Sequence, residues 1–236
     1  MTIDLNTFTW QAFPLFEEME EAVVRKFLSV AFHFRYETGD LLVSQNDSGE
    51  TFFMLLEGLA KLVIEHPQTG EVRNIALFQK GDFFGEMSML ESQGLRQGNI
   101  VAMSNVEVIT MQKKDFIKLM RECPGLALNL AKALARRLRY MNERMQTEQL
   151  ATDLNKVSQS LWMLSKKGKI LNRQGEILLP LLPLKEWAMF CSTSTNVFMN
   201  TMEELKIKNV LAWQNQQIVI KDLAKLQSYA GVEDSN

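Results

Sequence analysis

Between Ala31 and Met111 the chain never runs apolar for long, and this limits its fold more than any other feature. Short apolar stretches alternate with turn residues: Leu41-Leu42-Val43, Phe52 to Leu56, Ala60 to Ile64, Ile75 to Phe78 and Val106 to Met111. Glycines at 39, 49, 58, 70, 81 and 85 punctuate them, and Gly39-Asp40 and Gln68-Thr69-Gly70 read as turns. Many short strands at this spacing predict an all-β barrel or roll. Ahead of it, Phe16 to Phe27 reads as a short acidic amphipathic helix.

From Lys113 the period changes. Apolar residues fall at Leu126, Leu130, Leu134, Leu138, Met141 and Met145, which is helical spacing. From Leu134 the steps of four, three and four match a coiled-coil seam. Pro124 suits the first turn of a helix about 25 residues long. The later half is polar around Met141 and Met145, so a second copy of the helix is the expected partner there. Leu134, Leu138, Met141 and Met145 are the expected dimer contacts.

Ala151-Thr152-Asp153 offers an N-cap for a helix over Leu154 to Leu164. Ser165 to Gly175 reads as a loop. Ile177 to Leu182 reads as a short strand, placed at an edge by Pro180. Leu184 to Leu205 then gives two helices around the polar turn Ser192-Thr193-Ser194. Trp187, Ala188 and Cys191 line the inner face of the first, and Ser194 caps the second. Val197, Phe198, Met202 and Leu205 form the buried stripe of the second. Asn209 to Trp213 and Gln217 to Ile220 read as two strands joined by Gln214-Asn215-Gln216. The pattern is a winged helix-turn-helix.

The chemistry concentrates in Gly81-Asp82-Phe83-Phe84-Gly85-Glu86-Met87-Ser88-Met89-Leu90, followed by Arg96. A ribose phosphate needs a carboxylate to accept from a ribose hydroxyl and a fork of donors for its phosphate, which a guanidinium supplies. Gly85 lets the backbone come close. A second arrangement stays open, in which Glu86 and Arg96 pair with each other inside an empty roll.

These residues resemble the phosphate-binding cassette of cyclic-nucleotide-binding domains. With the helix-turn-helix they resemble bacterial transcription regulators of the cyclic AMP receptor protein/FNR family, from about Phe16 to Leu226. The resemblance implies an α+β protein in three parts. Residues 1–124 would be a sensor domain with a jelly-roll-like β-roll (a double-stranded β-helix). Residues 125–151 would be a long dimerisation helix, and residues 152–236 a winged helix-turn-helix DNA-binding domain.

It implies an effector site at Gly85, Glu86, Met87, Arg96, Gln97, Gly98, Met141 and Asn142, with cyclic AMP as the first expectation and a different effector as the alternative. It further implies double-stranded DNA, a second copy of the chain and RNA polymerase as partners. Members of the family commonly follow the Arg with Ser or Thr and then Ala, where this chain has Gln97 and Gly98. The cyclic AMP receptor protein touches the adenine with Thr-Ser on the long helix, where this chain has Met141 and Asn142.

The DNA-facing residues implied are Lys185, Ser194, Thr195, Asn196, Met199, Asn200 and Lys206. The Arg, Glu and Arg with which the family commonly reads bases are here Thr195, Asn196 and Asn200. Asn still pairs bidentately with adenine, and Thr can touch a thymine methyl. Phosphate affinity would come from Lys166, Lys167, Lys169, Lys185, Lys206, Lys208 and Lys221. Residues 150–226 carry ten Lys and Arg against six Asp and Glu, a local excess of four in a chain of net charge −2. That modest excess leaves a partner-dependent regulator with weakened DNA contact as the rival expectation.

Composition excludes other classes. No apolar run approaches the roughly 20 residues that span a bilayer, and Met1 to Trp10 has no secretory pattern. A cytoplasmic location is expected. Cys123 and Cys191, the two cysteines, are expected to be free thiols. Two cysteines cannot hold a four-cysteine iron–sulfur cluster. His33 and His66 read as ordinary strand or turn residues. No catalytic constellation or metal-ligand cluster appears in the sequence, so neither an enzyme nor a metal cofactor is expected.

Overall fold

The computed structural model describes residues 9–65, 68, 70, 72–91, 94–148, 152–167, 170–171, 175–214 and 217–232. The chain divides into two compact units, residues 1–137 and 138–236, and the division falls inside one long helix.

Among its described residues the first unit holds eight strands in two antiparallel four-stranded sheets. One sheet has the order β1 (Phe32–Tyr36), β8 (Val106–Gln112), β3 (Thr51–Glu57), β6 (Phe83–Phe84). The other has the order β2 (Leu41–Val43), β7 (Asn99–Ala102), β4 (Leu59–Glu65), β5 (Val72–Gln79). Leu42, Val43, Ala60, Phe78, Ile100 and Ala102 of the second sheet meet Phe53, Leu55, Phe84, Val106 and Val108 of the first in one core.

Strands β3 and β8 of the first sheet are buried on both faces. Alternation along β3 sends Phe53 and Leu55 into the roll, while Phe52 and Met54 join a second core beneath the helices. There α1 (Glu21–Ser29), α3 (Lys113–Glu122) and the start of α4 (Pro124–Glu148) contribute Phe27, Phe116, Leu126 and Leu130. Phe52 stacks on Phe116 at 4.3 Å between centroids and meets Phe27 edge-on at 6.2 Å. Two-sided burial is why the sequence shows β3 as a continuous apolar run.

Several expectations shift. The helix anticipated over Phe16 to Phe27 begins only at Glu21; Pro14–Phe16 is a 3-10 turn that buries Leu15 and Phe16. The side-chain amide of buried Asn129 on α4 donates to the carbonyls of Leu15 (3.2 Å) and Glu17 (2.8 Å) and ties this turn down. The two-residue strand β6 is too short to show a period. In β1 the exposed side chains are Phe32, Phe34 and Arg35, so its phenylalanines run against the usual apolar-in pattern. His33 is a strand residue there, 3.1 Å from Glu107; His66 and the turn residue Thr69 lie outside the described residues.

In the second unit α5 (Asp153–Lys167) runs three residues past the expected end, and the Thr152 hydroxyl accepts from the Asn155 amide at its start (3.3 Å). Part of the expected loop over Ser165 to Gly175 is strand β9 (Ile170–Leu171). The strand expected over Ile177 to Leu182 is only β10 (Ile177–Leu178), and it is not at an edge. It lies between β9 and β12 (Gln217–Ile220), with β11 (Leu211–Gln214) beyond β12. The Leu179 amide still reaches the Ile218 carbonyl (2.9 Å), and Pro180, with no N–H, ends the pairing.

Helices α6 (Leu184–Phe190), α7 (Thr195–Ile207) and α8 (Leu223–Ala230) complete the unit. Trp187, Ala188 and Cys191 meet Phe198, Met202 and Leu205 in its buried core. Trp187 lies parallel to Phe198 at 6.2 Å. The Ser194 hydroxyl caps α7 by accepting from the Val197 amide (3.3 Å). Asn215 and Gln216, expected to turn between β11 and β12, lie outside the described residues.

Candidate effector site and nucleic-acid face

Strand β6 ends at Gly85, whose φ of +87° starts α2 (Glu86–Leu90). A Cβ at Gly85 would lie 2.5 Å from an Arg96 guanidinium nitrogen and 2.7 Å from the Thr51 carbonyl, so glycine is required by both space and conformation. The segment after α2 pairs back onto residues 46–49. The Gly49 amide donates to the Gly94 carbonyl (2.7 Å), and the Arg96 amide donates to the Asp47 carbonyl (2.9 Å). This return brings Arg96 near Glu86 beside the Gly85 turn, both buried at 6% and 2% exposure.

The two do not pair with each other in the way left open from sequence. Arg96 donates through Nη1 to the Gly85 carbonyl (3.0 Å) and the Ser88 hydroxyl (2.9 Å), and through Nη2 to the Thr51 carbonyl (2.6 Å). These bonds leave its Nε–H and one Nη2 hydrogen. Glu86 instead accepts through Oε1 from Arg137 Nη1 at 2.7 Å. Arg137 also donates to the Phe83 carbonyl, and its guanidinium lies 4.4 Å from the Phe83 ring centroid.

The second carboxylate oxygen, Oε2, is buried and has no hydrogen-bond partner among the described residues. Burial pushes the Glu86 carboxyl above the usual carboxylate range, and the nearby Arg137 and Arg96 oppose this. Burial lowers the Arg96 guanidinium from its ordinary value, against the pull of Glu86, Asp47 and Glu50.

Arg137 was not anticipated, yet its signal lies in the helical spacing. It follows Leu126, Leu130 and Leu134 by eleven, seven and three residues, which places it on the same face of α4. That face meets the roll. Leu134, expected at a dimer seam, is half-buried against the core beneath the helices, beside Leu130 and Ala133. Leu134 therefore offers less free surface to a second helix than Leu138 or Met141 does. The exposed residues of α4 include Leu128, Ala131, Ala135, Leu138 and Asn142, spaced three, four, three and four. Leu138 and Met141 are 61% and 51% exposed. Met145 would extend the stripe by three more residues, and its side chain lies outside the described residues.

Of the other residues singled out, Met87 and Gln97 are exposed. Gly98 is buried, and a Cβ there would lie 2.6 Å from the Val63 carbonyl. The Ala common in the family at this position would press on β4. Met141 and Asn142 are exposed on α4, in the second unit.

On α7 the side chains sort cleanly. Phe198, Thr201, Met202 and Leu205 are buried and Val197 is half-buried. Thr195, Asn196, Met199, Asn200 and Glu203 share the exposed side, and Lys185 and Ser194 are exposed near its start. The basic residues are less free than the sequence suggested. Lys206 pairs with Glu203 (3.1 Å), Lys208 with Glu204 (2.8 Å), and Lys166 lies over the Trp162 ring (5.1 Å). The Lys167 side chain and Lys169 lie outside the described residues.

Comparison with known proteins places these features. Residues 33–123 match the family model of the cyclic nucleotide-binding domain. The chain is 28% identical over 219 residues to the cyclic AMP receptor protein of Thermus thermophilus, covering 92% of this chain and 96% of that one. The crystal structure of the Thermus thermophilus catabolite activator protein superposes with a TM-score of 0.52 at 27% identity, covering 92% and 98% of the two chains. A c-di-GMP-responsive global regulator, CLP of Xanthomonas campestris, shares the fold with a TM-score of 0.70 at 16% identity, covering 85% and 99%. Residues 33–123 thus carry a cyclic nucleotide-binding domain, and over nearly its whole length the chain is similar to transcription regulators of the cyclic AMP receptor protein/FNR family.

Proposed function

We propose that the protein is a homodimeric, DNA-binding regulator gated by a cyclic nucleotide, with cyclic AMP as the effector. The observation that carries this is the unpartnered Oε2 of Glu86, buried beside Arg96 at the Gly85 turn. A lone buried acceptor is costly unless a donor arrives, and a ribose hydroxyl is such a donor. The free Nε–H and Nη2 hydrogen of Arg96 suit a phosphate oxygen, and the exposed Met87 and Gln97 border the same turn. Arg137 would couple this event to α4, because it holds the other Glu86 oxygen.

The outward residues Leu128, Ala131, Ala135, Leu138 and Asn142 keep heptad spacing, which suits pairing with a second α4. The DNA-binding part, residues 152–236, would follow a hinge at Thr152-Asp153, with residues 1–124 as sensor and 125–151 as dimer helix. In a dimer the two α7 helices would enter successive major grooves about 34 Å apart, with β11 and β12 as the wing. The regulator would act in the cytoplasm with RNA polymerase as a protein partner; no described helix is long and apolar enough to cross a membrane.

Calorimetry with cyclic AMP and, separately, cyclic di-GMP tests the effector. Heat and a thermal shift with cyclic AMP alone are expected. No response to cyclic AMP at millimolar concentration overturns this assignment. A second reading is supported by the ion pairs of Lys206 and Lys208 with their own acids: weak phosphate grip, and DNA binding completed by a partner protein. A gel shift with genomic fragments and the protein alone separates the two.

A further inference from the structure

We propose that Met199 is a specificity-determining residue that reads the 5-methyl group of thymine. The proposal rests on the reading of α7 as the major-groove helix and adds the chemistry of what it recognises.

The exposed side of α7 from Thr195 to Glu203 carries no cation. Its polar groups are the Thr195 hydroxyl, the amides of Asn196 and Asn200, and the Glu203 carboxylate. Both oxygens of Glu203 are 3.1 Å from Lys206 Nζ, so it is held by its own helix. In the middle of this side, three residues after Asn196 and one before Asn200, stands Met199 at 43% exposure. The core does not require it, since Phe198, Met202 and Leu205 fill the buried stripe.

An adenine offers N7 and the N6 amine to an asparagine amide, and the thymine paired with it offers a methyl group to the same groove. A polar–apolar–polar face therefore matches A·T pairs on both strands, amide to adenine and thioether to methyl. Methionine suits this because its unbranched chain can follow a methyl group of imperfectly fixed position. Guanine, read best by a cationic fork, finds none on this stretch of α7.

The experiment uses the full chain and a random duplex library, selected with and without cyclic AMP. Thymines of the enriched duplex are then replaced one at a time by uracil, which removes only the methyl. Burial of one methyl predicts a loss of about fourfold in affinity at one thymine per half-site. Met199→Ala should bind the thymine duplex about fourfold more weakly and be indifferent to uracil, whereas Met199→Leu should keep the methyl sensitivity. Uracil that is neutral at every thymine overturns the proposal, and so does a penalty that persists in Met199→Ala. In both cases DNA reading by α7 stands. Enrichment of no duplex in either condition overturns the DNA-reading assignment itself, and this proposal with it.

Discussion

Arg137 on α4 holds Glu86 at the start of α2 through a 2.7 Å hydrogen bond, and Glu86 keeps its other oxygen unpartnered. The carboxylate of the proposed effector cassette is thus already half-engaged by the long helix. Arg137→Met should strip Glu86 of its bond and of its nearest charge partner. The expected loss is about 2 kcal/mol in denaturant unfolding, since breaking one side of a largely buried pair leaves the other charge uncompensated. Adding Glu86→Gln to Arg137→Met should restore part of that stability; a double variant weaker than both singles contradicts this account.

The raised pKa of Glu86 has a definite sign in stability. Its folded-state value lies above the unfolded one, near 4.5, so its stabilising contribution is complete below pH 4.5 and is lost as pH rises through the folded value. The stability difference between Glu86→Gln and the native protein should therefore shift in favour of the glutamine variant as pH rises above 4.5. Unfolding of both proteins across a pH series reads this directly, because the other carboxylates cancel in the difference. A pH-independent difference refutes the assignment.

Arg96 serves the fold and, in the proposed site, would also hold the ligand. Arg96→Lys keeps the charge but loses the fork that bonds the Gly85 and Thr51 carbonyls and the Ser88 hydroxyl. Cyclic AMP affinity should fall at least about tenfold, as expected for the loss of a bidentate charge-assisted contact. A lowered melting temperature without ligand should accompany it. Unchanged affinity in calorimetry would remove Arg96 from the effector site.

The two faces of α4 give opposite expectations. Leu138→Glu places a charge on the outward heptad face and should yield monomers in sedimentation with little change in melting temperature. Leu134→Glu buries a charge against Leu130 and Ala133 and should destabilise the roll by several kcal/mol. A monomeric native protein at micromolar concentration defeats the seam.

Local chemistry alone made much of this protein legible. The switch from glycine-punctuated strands to helical spacing at Lys113 located the roll and α4, and Pro124 marked where α4 starts. Ser194 and the stripe Phe198, Met202, Leu205 located α7 and its buried side. Such features are read within a few residues, because a helix or strand expresses its period along its own length. The brief β6 has no length over which to express a period, and β1 inverts one.

Long-range closure decided the rest. Leu134 could face either the roll or a second helix by spacing alone, and only the packing of Leu126 and Leu130 against Phe52 and Phe116 set the answer. The same rotation of α4 turned Arg137 toward Glu86, 51 residues earlier in the chain. The sequence by itself determined which residue types the cassette contains. Which of two arginines takes the carboxylate depends on how the sheets close and how α4 docks, because a hydrogen bond needs its partners within about 3 Å and no local pattern encodes that distance.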